Sequence, residues 1–99
     1  MSADRRKLAI DDLARFMRGQ EPPADVQQSA PILDLYRVLI ARTPSGYRMF
    51  LRGVVRGHPR HPDGASIETT EIVWLDRKHR WARSINRVYL LDGEAAEID

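Results

Sequence analysis

Along residues 4–18 the apolar positions recur in steps of three and four. Ile10, Leu13 and Met17, joined by Ala9 and Phe16, fall on one face of a helix. Ser2 or Asp4 is a suitable N-cap, and Gly19 stands where a helix-ending glycine belongs. The Glu21-Pro22-Pro23 sequence forbids continuation. A connector follows, in which residues 24–30 can form one short helical turn before Pro31.

From Asp34 the period changes to two. Tyr36, Val38 and Ile40 alternate with Arg37 and Leu39, and Thr43-Pro44-Ser45-Gly46 supplies a tight turn. The next segment, 47–57, places Tyr47, Met49, Leu51 and Val55 on one face. Arg48, Phe50, Arg52, Val54 and Arg56 fall on the other. Residues 67–76 read as a third strand. Residues 81–85 and 88–92 read as two more about an Asn86-Arg87 turn, and the end beyond Gly93 reads as frayed.

This pattern predicts an α+β fold: an N-terminal helix, then a strongly bent antiparallel sheet of about five short strands. An SH3-like small barrel or a meander fits best, and a four-stranded sheet crossed by the helix is the alternative. The chain divides into an amphipathic helix over 1–19, a connector over 20–33, a β domain over 34–93 and an acidic tail over 94–99. Ninety-nine residues suffice for one modest core and leave little for a deep substrate pocket. No cysteine is present, which removes disulfides and thiolate metal sites and suits a reducing cytoplasm. No apolar run is long enough to span a membrane, and the basic start lacks an apolar leader core.

The net charge of +2 conceals a strong asymmetry. Residues 37–90 carry eleven basic and four acidic side chains, while 91–99 carry only acids. A basic block of this kind suits an anionic partner. Its most regular part is the stripe Arg48, Arg52 and Arg56, with Phe50 between. Arg60, Trp74, Trp81 and Arg83 extend the candidate binding surface. Arginines around an aromatic ring serve both acidic protein surfaces and nucleic-acid phosphates. The competing reading pairs these arginines across strands with Glu68 or Glu71 and puts the tryptophans in the core.

Residues 57–64, Gly-His-Pro-Arg-His-Pro-Asp-Gly, hold two of the three histidines. His58, His61, Asp63 and the more distant His79 have side chains suited to zinc, and a His–Asp pair suits general-base work. Prolines after both histidines hold the backbone extended, and Asp63-Gly64 favours a turn. The loop therefore reads first as a stiff connection. No metal or cofactor is expected, and no nucleophile elbow or phosphate loop is present.

The run from Gly53 to Gly93 also resembles a known pattern. It is similar to a group of uncharacterised small proteins of alphaproteobacterial genomes and plasmids. The matching residues are Gly53, Val55, Gly57, His58, Pro59, Asp63, Gly64, Ile67, Thr69, Thr70, Trp81, Ala82, Arg83, Ser84, Tyr89 and Leu91. The resemblance implies a β-rich domain of bacterial or mobile-element origin and transfers no activity. The expectation is a small, cytoplasmic, non-enzymatic accessory or regulatory protein that binds a protein partner through the basic strand face. Two alternatives stand beside it: a sequence-nonspecific nucleic-acid-binding module, and an inhibitor of a bacterial defence complex resembling anti-CRISPR proteins.

Overall fold

A computed structural model describes residues 2–96 of the chain, with side chains from Asp4 onward. Two helices, α1 (Ser2–Phe16) and α2 (Ala24–Ser29), precede six strands. These are β1 (Ile32–Thr43), β2 (Gly46–Arg56), β3 (Ser66–Glu68), β4 (Ile72–Asp76), β5 (Trp81–Ser84) and β6 (Val88–Leu91). The strands lie in the order β1-β6-β5-β4-β2-β3, and β1 also pairs with β2. That extra pairing closes a small β-barrel with β3 appended to β2.

Three expectations need correction here. The predicted third strand is two, because Thr69 breaks off to serve β2. Its N–H reaches the Leu51 carbonyl at 2.8 Å and its hydroxyl accepts the Leu51 N–H at 3.0 Å. The sheet is also not wholly antiparallel. β1 and β6 run parallel, with Ile32 opposite Leu90 and Leu33 opposite Leu91. The segment after β6 continues this edge rather than fraying. The Tyr36 N–H donates to the Gly93 carbonyl, and the Ala95 N–H donates to the Tyr36 carbonyl, both at 2.9 Å. Residues 97–99 of the predicted acidic tail lie outside the described residues.

The barrel needs a sharp bend, and a bulge in β1 provides it. Asp34 faces Val54 and Arg37 faces Arg52, so β1 uses one more residue than β2 over this step. Leu35 takes φ 51° there, with its N–H held by the Asp34 carboxylate at 2.8 Å. Opposite the bulge sits Gly53. A Cβ at Gly53 would stand 2.8 Å from the Asp34 carbonyl oxygen and 3.0 Å from Leu33 Cγ. Only a residue without a side chain lets the two strands approach this closely.

The barrel interior is filled by Leu33, Tyr36, Leu51, Val55, Ile72, Ala82, Tyr89 and Leu91. On β2 the predicted alternation holds: Leu51 and Val55 are buried while Arg52 and Arg56 face outward. Helix α1 covers the outside of β4 and β5, with Phe16 against Trp81 at 4.6 Å between ring centres and Trp74 at 6.2 Å. It ends in a Schellman motif at Gly19 (φ 86°): Gln20 N–H bonds the Arg15 carbonyl and Gly19 N–H the Phe16 carbonyl.

The buried face of α1 is rotated from the predicted one. Ala9 and Phe16 are buried, Asp12 and Leu13 half-buried, and Ile10 and Met17 exposed. The cause is polar. Asp12 bonds Arg83 on β5 at 2.9 Å, which turns the Asp12 side of the helix toward the barrel.

Candidate anion-binding pole

The strand-two arginines project outward as their spacing requires, but each meets an acid. Arg48 bonds Glu71 at 2.9 Å, Arg52 bonds Glu68 at 3.4 Å and Arg56 bonds Asp92 at 3.0 Å. Arg48 also reaches Ser45, and Arg56 lies 3.9 Å from Asp34. Phe50 is half-buried opposite Leu39. The stripe therefore exists as geometry and not as a free positive surface. The register of β2 against β3 sets this pairing, since it puts Glu68 beside Arg52.

Three other candidates are structural. Trp81 is buried and Trp74 half-buried beneath α1, and neither indole N–H finds a hydrogen-bond partner among the described residues. Aromatic packing on Phe16 engages both rings, and what remains of them lines a cleft shared with Glu21, Asp76 and His79 rather than with the basic stripe. Arg83 has only 8% of its side chain exposed. Its Nε donates to Asp12, which also pairs with Arg15, and its Nη1 donates to the Ser84 carbonyl at 2.7 Å. A guanidinium so enclosed docks the helix.

Arg60 is the remaining candidate, and it leads to a different site. It lies in the 57–64 loop, which hydrogen bonds at Asp63 and Gly64 close on itself. The Asp63 carboxylate accepts the Gly57 N–H at 2.8 Å, and the Gly64 N–H (Gly64 φ 88°) returns to the Val55 carbonyl at 2.8 Å. This closed loop leans on β6. His58 Nε2 lies 3.2 Å from the Tyr89 hydroxyl, and the His58 and His61 rings meet at 4.7 Å between centres, tilted by 59°.

The tautomer of His58 follows from its contacts. The Arg60 N–H donates to Nδ1 at 3.0 Å, so neutral His58 carries its proton on Nε2 and donates it to the Tyr89 oxygen. The Tyr89 O–H is then free to donate elsewhere. Burial holds His58 below the ordinary histidine range, and the charges of Arg87, His61 and Arg60 push in the same direction. Burial likewise raises Tyr89 above the usual phenol value, against the opposing pull of Arg87, and keeps its proton in place.

Between the loop, the Thr69-Thr70 link and the Asn86-Arg87 turn lies a pocket of about 140 Å³. Its walls carry His58, Arg60, His61, Ile67, Thr69, Thr70, Asn86, Arg87 and Tyr89, together with one acid, Glu68. Among the described residues, Arg60, Arg87, His58 and His61 have no ion-pair partner, and Glu68 is engaged by Arg52. A larger cleft of about 430 Å³ adjoins it, sharing Asn86 and Arg87 and reaching Asp12 and Arg83.

Metal binding is a poor match for this chemistry. Among the described residues no group of three or more His, Cys, Asp or Glu side chains is placed to hold an ion. Asp63 is spent on the loop, and His79 stands apart, bonded to Asp76 at 2.8 Å. Sequence reasoning passed over Asn86, Arg87, Thr69 and Thr70. Their places in the chain, at a strand end and in a turn, give no sign of a shared site, because barrel closure alone brings residues 86–89 to the loop at 58–61. No helix among the described residues is long and apolar enough to cross a membrane. The chain matches no family model, no curated protein and no solved structure.

Proposed function

We propose that this chain is a small non-enzymatic binding module, an accessory or regulatory protein of the bacterial or mobile-element setting implied by the resemblance. Its contact surface is the basic pole of His58, Arg60, His61 and Arg87, and its partner is a protein with an acidic surface. One observation carries this reading: cationic and titratable side chains from two distant segments converge without an acid paired to them among the described residues. Leaving such groups together costs stability through mutual repulsion: burial is the main reason His58 is held low, and the charges of Arg87, His61 and Arg60 add to it. An anionic partner relieves that cost.

A nucleic-acid groove works differently. It needs cations tracking a backbone and exposed rings for stacking. Here the stripe that would track a backbone is neutralised in place, Trp81 and Tyr89 are buried and Trp74 is half-buried against Phe16. The test is capture from nuclease-treated bacterial lysate on immobilised protein, with an Arg60→Glu/Arg87→Glu variant alongside. The expected result is a defined protein retained by the wild type, eluted by salt and lost in the variant. Equal capture by the variant overturns the reading. Capture that vanishes with nuclease reassigns the pole to nucleic acid.

A further inference from the structure

We propose that the pocket among His58, Arg60, Thr70, Arg87 and Tyr89 is a site for a single phosphoryl group. The inference rests on the same basic pole and adds the ligand's chemistry. Donors reach the pocket from four segments: the 57–64 loop, the Thr69-Thr70 link, the Asn86-Arg87 turn and β6. Tyr89 and Thr69 are each more than nine-tenths buried. Tyr89 keeps a free O–H proton because His58 donates to its oxygen. Thr69 accepts the Leu51 N–H and retains its own hydroxyl proton. The guanidinium groups of Arg60 and Arg87 make no hydrogen bond among the described residues, and neither does the His61 ring.

Converging donors of this kind suit an anion with oxygens in several directions. A planar carboxylate offers two oxygens and satisfies one side of the pocket, whereas a tetrahedral phosphoryl group offers three or four. Its charge also matches. Two arginines face one acid, Glu68, which is committed to Arg52. The pocket, about 140 Å³ and partly open to solvent, has room for one such group. The wall is polar, so an apolar side chain gains nothing there.

The experiment follows the ring signals of His58 and His61 by NMR during titration with inorganic phosphate, with sulfate, and with chloride at matched ionic strength. Sulfate keeps its charge across the histidine range, so its arm reports the protein's own titration. Phosphate and sulfate are expected to saturate the shifts and to move the His58 titration to higher pH; chloride is not. Arg87→Gln is expected to weaken binding by about tenfold or more, as loss of a charge-assisted bond implies. Tyr89→Phe, which preserves the core ring, provides a second variant if Arg87→Gln misfolds.

A phosphoserine peptide compared with its unphosphorylated form identifies the source. Tighter binding than inorganic phosphate marks a phosphorylated side chain, and equal binding marks the free anion. Shifts no greater than those in chloride, insensitivity to both variants, or oligonucleotide binding indifferent to a terminal phosphate overturns the proposal. If phosphate fails while lysate capture still depends on Arg60 and Arg87, the binding-module reading stands and the phosphoryl site alone falls.

Discussion

Replacing Asp12 by alanine leaves a guanidinium enclosed without its counter-ion. Arg83 keeps its bond to the Ser84 carbonyl but loses the 2.9 Å contact that turns α1 onto the barrel. Removing one partner of a fully buried pair costs about 3–5 kcal/mol. Asp12 is 24% exposed and lines the larger cleft, so water can partly replace it. The expected loss is therefore lower, about 2–3 kcal/mol. For a domain of this size that lowers the melting temperature by roughly 10–20 °C. The chain's two tryptophans both lie under α1, so their fluorescence reports helix docking directly. Urea unfolding of the wild type, Asp12→Ala, Arg83→Met and the double variant completes the cycle. In the Arg83→Met background, Asp12→Ala should cost under about 1 kcal/mol, since no buried charge remains to be stranded. A loss below about 0.5 kcal/mol in the wild-type background, the range of a surface pair, refutes this account of the helix orientation. So does an equal loss in both backgrounds.

Other expectations test the bend, the loop and the histidine. Gly53→Ala should cost about 1–3 kcal/mol in urea unfolding, because the new Cβ meets a backbone oxygen at 2.8 Å that cannot swing away. Gly64→Val should lower the melting temperature more than His61→Ala. Gly64 holds φ 88°, which a β-branched residue resists even with open space around it; equal tolerance contradicts the stiff-loop account. Stability should fall as pH drops through and below the ordinary histidine pKa. The fold depresses His58, so the unfolded chain takes up the proton more readily. Unfolding midpoints measured from pH 7.5 to 5 should show this dependence, reduced in His58→Gln.

The sequence carried much of the fold because period and turn chemistry are local. The α1 stop at Gly19, the alternation of Leu51 and Val55 against Arg52 and Arg56, and the closed loop at 57–64 all follow from neighbours in the chain. What could not be read was set at long range. The bulge at Leu35 interrupts a strand whose apolar pattern runs on regardless. Thr69 splits the third strand through a bond to Leu51, which no window around Thr69 contains. The buried face of α1 departs from its apolar pattern because Asp12 pairs with Arg83 on β5 while Ile10 and Met17 stay exposed. The candidate surface suffered most. Charge spacing on β2 was legible, yet whether those charges are free depends on where β3, Glu71 and Asp92 land. The cationic pole depends on β6 lying beside the loop, and only the closed barrel makes it visible.

The parallel seam between β1 and β6 bears on how the chain is made. The β1–β2 hairpin can form once Arg56 has been synthesised, since all its partners lie within residues 32–56. The seam must wait for Leu90 and Leu91. At roughly 5–20 residues per second, translation leaves about two to seven seconds between these events. During that interval Leu33, Leu51 and Val55 sit on a bent two-stranded ribbon that still lacks Tyr89 and Leu91 as core partners. A nascent chain stalled before Leu91 would thus present a sticky β edge to the ribosome exit and to chaperones. Completion of the last strand sheathes that edge and, in the same movement, assembles the cationic pole.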